Sequence, residues 1–158
     1  HYSSLGVGDQ KCKRDSLGKS IGSETTFQID TANPTIIKIT LSNLIEKTSF
    51  KLRQTKQETS CVTLKIRYSN FKTQTKQICI EPTDQDQIIY KHTINLLNSM
   101  YKNRLSIRLV GIKLSKLNVK VLNNLFPLFQ KTTYLYQAID KIKLKHGLKS
   151  IQQGSSLR

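Results

Sequence analysis

Residues 61 to 68 read CVTLKIRY, and their alternation decides the fold. Val62, Leu64, Ile66 and Tyr68 point one way and Thr63, Lys65 and Arg67 the other, the period-two pattern of a strand with one face in a core and one face open. The open face is basic. Ser69-Asn70 makes a turn, and Phe71 to Ile80 (FKTQTKQICI) returns as a second strand that completes a hairpin and carries Lys72 and Lys76. Phe71 and Ile80 differ in parity, so if both are core a bulge separates them.

Working outward, each side of the hairpin supplies a helix and then a strand. Upstream, Gly22 to Asp30 (GSETTFQID) is a short run of strand-favouring residues. Asn33-Pro34 follows as an N-cap with proline in the first turn, and Ile37, Leu41, Leu44, Ile45, Thr48 and Leu52 recur at helical spacing. Downstream, Thr83-Asp84 caps a second helix lined on one side by Ile89, Leu96, Leu97, Met100 and Tyr101. Leu105 to Ser115 (LSIRLVGIKLS) forms the last strand, with Gly111 marking a bulge or kink where the apolar parity shifts. The order strand, helix, strand, strand, helix, strand is that of an α+β, split βαβ (ferredoxin-like) fold: a four-stranded antiparallel sheet with two helices on one face. Thr132 to Lys145 adds a C-terminal helical tail through Leu135, Ala138, Ile139 and Ile142, ending at Gly147. Residues 1–20 carry three of the seven glycines and read as a linker, 21–120 as the folded domain and 121–158 as the tail.

Composition limits what such a domain does. The chain has 158 residues, room for one domain with flanking pieces. Its 26 Lys and Arg against 10 Asp and Glu leave +16 with His neutral. That excess favours a polyanion as partner, either nucleic acid or an anionic membrane surface. No apolar run approaches the ~18 residues of a membrane-spanning helix. Cys12, Cys61 and Cys79 are odd in number, scattered and never in a Cys-x-x-Cys, which fits a reduced, cytoplasmic protein without structural zinc. Carboxylates for general acid-base or two-metal chemistry are few. Asp84 and Asp86 are near neighbours, but they stand at the head of the second helix, where acids serve capping and the helix dipole. His1, His92 and His146 have no nucleophile or second His at a useful spacing. The expectation is a chain that catalyses nothing by itself and holds no cofactor.

Four blocks carry a resemblance: KSIGSETTF (Lys19 to Phe27), LKIRYSNFKT (Leu64 to Thr73), the Pro-Thr-Asp before the second helix, and IRLVGIKLSKL (Ile107 to Leu117). In that order they resemble the little-finger domain of Y-family translesion DNA polymerases, the group of DNA polymerase IV and the UmuC-like ImpB/MucB/SamB proteins. The match covers roughly residues 16 to 117, and Leu5 to Asp9 resembles the end of that family's thumb. The resemblance implies an accessory DNA-binding domain from a polymerase fragment, gripping double-stranded primer-template DNA through backbone contacts that position without reading sequence. It implies that palm and fingers, with the carboxylates that would hold the parent's Mg2+, have no counterpart here. Position by position, Lys19 and Ser20 match the linker block, Ser23, Glu24 and Thr26 the first strand, Lys76 the third strand, and Arg108 and Lys113 the last. The alternation of the second strand adds Lys65 and Arg67. Two positions depart from the family pattern: Leu109 where some members have a second basic residue, and Glu24, an acid on the presumed DNA face.

Asn123 to Phe129 (NNLFPLF) is similar to the short apolar segment by which these polymerases bind the sliding clamp, without its lead glutamine. Phe126, Leu128 and Phe129 would be the anchors, although such residues as readily pack on the parent domain. An RNA-binding module of the RRM type shares the element order and is the alternative. It requires base-stacking aromatics in an RNP1 pattern, which this sequence lacks. A small enzyme on the same frame is a further alternative that the sparse carboxylates and histidines disfavour.

Overall fold

The computed structural model describes residues 19–101, 105–120, 127–148 and 150–151. In chain order the elements are β1 (Ser20–Thr31), α1 (Pro34–Gln54), β2 (Gln57–Tyr68), β3 (Thr73–Thr83), α2 (Asp86–Met100), β4 (Ile107–Val119) and α3 (Pro127–His146). The four strands form one antiparallel sheet in the order β1-β4-β2-β3. With α1 and α2 against one side of it, this is the expected α+β split βαβ architecture.

Local chemistry explains where the elements begin and end. The Asn33 side chain accepts a hydrogen bond from Thr35 N at 2.9 Å, and Pro34 opens α1 without losing a donor the helix needs. From there Ile37, Leu41, Ile45 and Leu52 are fully buried, and Thr48 satisfies its hydroxyl by donating to the carbonyl of Leu44 at 2.8 Å. They pack with Ile89, Leu96 and Leu97 of α2 on Val62, Leu64, Ile66, Val110, Ile112 and Leu114 of the sheet. Each such side chain contributes about 1.5–3 kcal/mol relative to exposure. β2 starts at Gln57, earlier than its apolar alternation indicates, because Gln57 and Thr59 are buried polar residues; Thr59 donates to the carbonyl of Ser115 at 2.8 Å.

Five expectations are corrected. Phe71 is not in β3: at φ 62 it closes the hairpin turn, its N–H donating to the Tyr68 carbonyl at 3.0 Å, and its ring is exposed. The β2–β3 register shift lies instead between Thr59 and Cys61. Gly111 is in regular register with both neighbours, and the bulge falls at Arg108, where Tyr68 pairs with Ile107 but Arg67 with Leu109. Thr83 and Asp84 do not cap α2: Thr83 ends β3, the N-cap position is Gln85 with no side-chain bond, and Asp84 accepts from Lys120 Nζ at 2.7 Å. Finally, α3 begins at Pro127, ahead of Thr132, and among its described side chains the apolar stripe is not the buried side. Tyr136, Asp140 and Lys143 are buried, whereas Leu135 and Ile142 are 57% and 40% exposed. Its end is as expected, with Gly147 at φ 93 donating to the Lys143 carbonyl at 2.9 Å.

Candidate nucleic-acid interface

Strand register sorts every residue of the sheet onto one face or the other. Read across β1, β4, β2 and β3, the helix-covered side has the rows Ile21–Leu114–Val62–Ile78, Ser23–Ile112–Leu64–Lys76 and Thr25–Val110–Ile66–Gln74. The open side has Ser20–Ser115–Cys61–Cys79, Gly22–Lys113–Thr63–Gln77, Glu24–Gly111–Lys65–Thr75 and Thr26–Leu109–Arg67–Thr73. Its chemistry is hydroxyls, small residues and three cations. No row on this side contains an aromatic residue.

The expected site residues divide accordingly. Ser20, Thr26, Lys65, Arg67 and Lys113 come together on the open face, and exposed Lys19 lies just ahead of β1. Ser23 falls on the helix side. So does Lys76, which pairs with Leu64 in register and donates to Ser99 Oγ of α2 at 3.0 Å. Arg108 sits on the bulge rather than in a row. Its Nε donates to Asp30 Oδ1 at 3.1 Å, and its guanidinium lies 4.5 Å from the Phe71 ring centroid. Phe126 lies outside the described residues, as do the side chains of Leu128 and Phe129, whose backbone is in the first turn of α3.

Within the face, the cations differ in how committed they are. Lys65 Nζ donates to Glu24 Oε2 at 2.8 Å, so the acid that departs from the family pattern neutralises one of the three. Gly111 makes that bridge possible. It stands between the two in β4, and a Cβ there would come within 2.8 Å of Glu24 Cβ. Arg67 Nε donates to Thr73 Oγ1 at 3.1 Å. Among the described residues neither Arg67 nor Lys113 pairs with a carboxylate. Both cations are therefore available to an anion. The alternation of β2 already put Thr63 on this face, but the sequence did not single out Thr73, Thr75 and Gln77, which complete it; placing the start of β3 at Thr73 instead of Phe71 would have found them.

A family model, the impB/mucB/samB family C-terminal domain, matches residues 18–124, a span that takes in the whole sheet and its two covering helices. The chain belongs to this family. DNA polymerase IV of Dehalococcoides mccartyi is 31% identical over 157 residues, covering 98% of this chain and 40% of that protein. DNA polymerase IV of Listeria monocytogenes is 34% identical over 108 residues, 68% of this chain and 30% of its own length. The chain thus spans 40% or less of these relatives. Among solved structures, the little finger domain in a complex of the beta-clamp processivity factor and PolIV superposes with a TM-score of 0.54 at 16% identity, over 68% of this chain and 97% of that one. An insertion ternary complex of Dbh DNA polymerase gives 0.51 at 15% identity, over 64% and 29%. The impB/mucB/samB C-terminal domain therefore has the little-finger fold here. The RRM alternative is not favoured, since a face without aromatics has no platform on which to stack bases.

A second polar cluster lies behind the sheet. Arg53 of α1 donates to Asp86 Oδ1 at 2.6 Å, to Asp140 Oδ2 and Oδ1 at 2.7 and 3.0 Å, and to the Asp84 carbonyl at 2.9 Å. Tyr136 covers the guanidinium at 4.7 Å, and Lys143 pairs with Glu46. Burial opposes the charge on Arg53, but the bonds to Asp140 and Asp86 more than offset it and hold the guanidinium above its ordinary range. These carboxylates do not suit Mg2+. Asp86 and Asp140 meet at a buried arginine and Asp84 meets Lys120, and among the described residues no three His, Cys, Asp or Glu gather at one point.

Proposed function

We propose that the open sheet face holds duplex DNA by its phosphates, as the sequence-independent grip of a translesion DNA polymerase whose catalytic part lies in the length that only the relatives display. The observation that carries this reading is the pair of exposed Lys113 and half-buried Arg67, which stand among hydroxyl rows and have no carboxylate partner among the described residues. Cations and hydroxyls bond phosphate oxygens, contacts that position a duplex without reading its sequence. This chain then contributes no catalytic residue. Mg2+ and phosphoryl transfer belong to the parent enzyme, which acts in the cytoplasm on primer-template DNA. No described helix is long and apolar enough to cross a membrane. The sliding clamp is a second partner in this reading, with Phe126, Leu128 and Phe129 as its anchors, because the matching little finger is solved with its beta clamp.

Fluorescence-anisotropy titration tests the grip. Each phosphate contact contributes about −0.9 to the slope of log K against log salt. Replacing Arg67 and Lys113 together by Ala is expected to flatten the slope for a primer-template duplex by about 2. Arg108→Ala is expected to change it less, because Arg108 is already engaged by Asp30 and Phe71. Tighter binding of single-stranded RNA, or an unchanged slope in the double variant, would contradict the proposal.

A further inference from the structure

The sequence scatters its cysteines, but the sheet brings two of them together. Cys61 of β2 and Cys79 of β3 are directly opposite in register, and both are free thiols. Opposed residues in an antiparallel pair have Cα atoms about 4.5 or 5.5 Å apart, and either separation lies within the range a disulfide spans. Their accessibility differs sharply. Cys61 is 2% exposed, whereas Cys79 is open to solvent. A third residue completes the arrangement. Lys116, at φ 51 in β4, donates from Nζ to Cys79 Sγ at 3.4 Å. Since β2 lies between β4 and β3, this side chain reaches over the strand that carries Cys61.

An accessible sulfur with an ammonium beside it and a second, shielded thiol across the strand pair is the layout of a peroxide-reactive cysteine and its resolving partner. We propose that Cys79, Cys61 and Lys116 form a thiol modification site for hydroperoxides that closes to a Cys61–Cys79 disulfide. In the first step the Cys79 thiolate attacks one oxygen of hydrogen peroxide. The S–O bond forms, the O–O bond breaks, and hydroxide leaves to be protonated to water. The Cys61 sulfur then attacks the Cys79 sulfenic sulfur, forming S–S and releasing the sulfenic oxygen as a second water that carries off the Cys61 proton. Two thiols lose two electrons in all and one peroxide is reduced to two waters. Lys116 faces the negative charge on the attacking sulfur. The pair shares the open face with Lys113, Lys65 and Arg67, so closing it joins β2 to β3 at one end of that face. The chemistry itself does not depend on DNA binding.

The test treats the full chain, in a Cys12→Ser background, with hydrogen peroxide, blocks remaining thiols and maps peptides by mass spectrometry without reduction. The expected product is a linkage of Cys61 to Cys79 within one chain. In Cys61→Ser, Cys79 is expected to stop at a sulfenic acid that dimedone traps. Lys116→Gln is expected to slow Cys79 alkylation by about threefold or more, with Lys116→Arg restoring it. Circular dichroism of the Gln variant separates loss of the cation from loss of the fold. A chain that keeps both thiols reduced, a disulfide only between chains, first reaction at Cys61, or a folded Lys116→Gln variant with an unchanged rate would each overturn the proposal.

Discussion

Gly111 is surrounded on the open face by Glu24 on one side and Lys65 on the other, and its lack of a side chain lets the acid reach the cation. The clash a Cβ would make is with Glu24 Cβ at 2.8 Å, next to the backbone, so rotating the carboxylate away gives no relief. Gly111→Ala therefore has to push β1 and β4 apart, and urea denaturation is expected to show a loss of about 1–3 kcal/mol. Unchanged stability would mean that the β1 edge yields freely. In the sequence, Gly111 draws attention as a parity break, but the break belongs to Arg108. Apolar Ile107, Leu109, Val110, Ile112 and Leu114 alternate on either side of a one-residue slip, and a string of letters shows that a slip exists without locating it. Only the pairing of Tyr68 with Ile107 and Arg67 with Leu109 does that.

At the scale of elements, the described side chains of α3 depart from the usual rule that a helix docks by its apolar side. The buried ones among them are Tyr136, Asp140 and Lys143, and their partners Arg53 and Glu46 lie in α1. Asp140 is 87 residues from Arg53 in sequence, so no local pattern links them, whereas Leu135, Ala138, Ile139 and Ile142 present an obvious stripe, of which Ile139 is half-buried. The helix was legible and its orientation was not. Removing one member of a buried ion pair costs about 3–5 kcal/mol, because the other is left desolvated and unpaired. Asp140→Asn is expected to raise hydrogen exchange across α3 by about 100-fold or more while the sheet amides stay protected. Equal exchange in the variant and the natural sequence would show that something other than this pair holds α3. By contrast, α1 and β2 were readable almost residue by residue, since Asn33-Pro34 and the alternation from Val62 to Tyr68 are local signals with local causes.

Over the whole molecule, the balance of charge and burial sets how stability responds to pH. Burial raises the Glu58 carboxyl above its ordinary range, against the pull of Lys120 and with the help of Asp84. The folded protein then takes up this proton at a higher pH than the unfolded chain. Ionised Glu58 costs stability above its folded pKa, and the cost disappears as pH falls toward about 4.3. Glu58→Gln is expected to melt above the natural sequence near neutral pH, with the difference shrinking on acidification. A Glu58→Gln variant that melts below the natural sequence near neutral pH would mean that the Lys120 pair dominates.

The large excess of Lys and Arg announced a polyanion from composition alone, yet it is not concentrated on the sheet as the alternation suggested. Three cations project from the open rows and one is paired with Glu24. What makes the face a candidate is their company of hydroxyls and, among the described residues, the missing aromatics and the absence of a covering layer. Parity in β2 foretold that arrangement, but in β3 it was obscured by Phe71, which looks like a strand residue and sits in a turn. The most direct test is the change in backbone amide NMR shifts on adding a short primer-template duplex. If the open face is the grip, the largest changes cluster at residues 20–26, 63–67, 73–77 and 109–115, with α1 and α2 little affected. Changes concentrated on the helices, or around Arg53 and α3, would place the DNA on the other side of the sheet and contradict it.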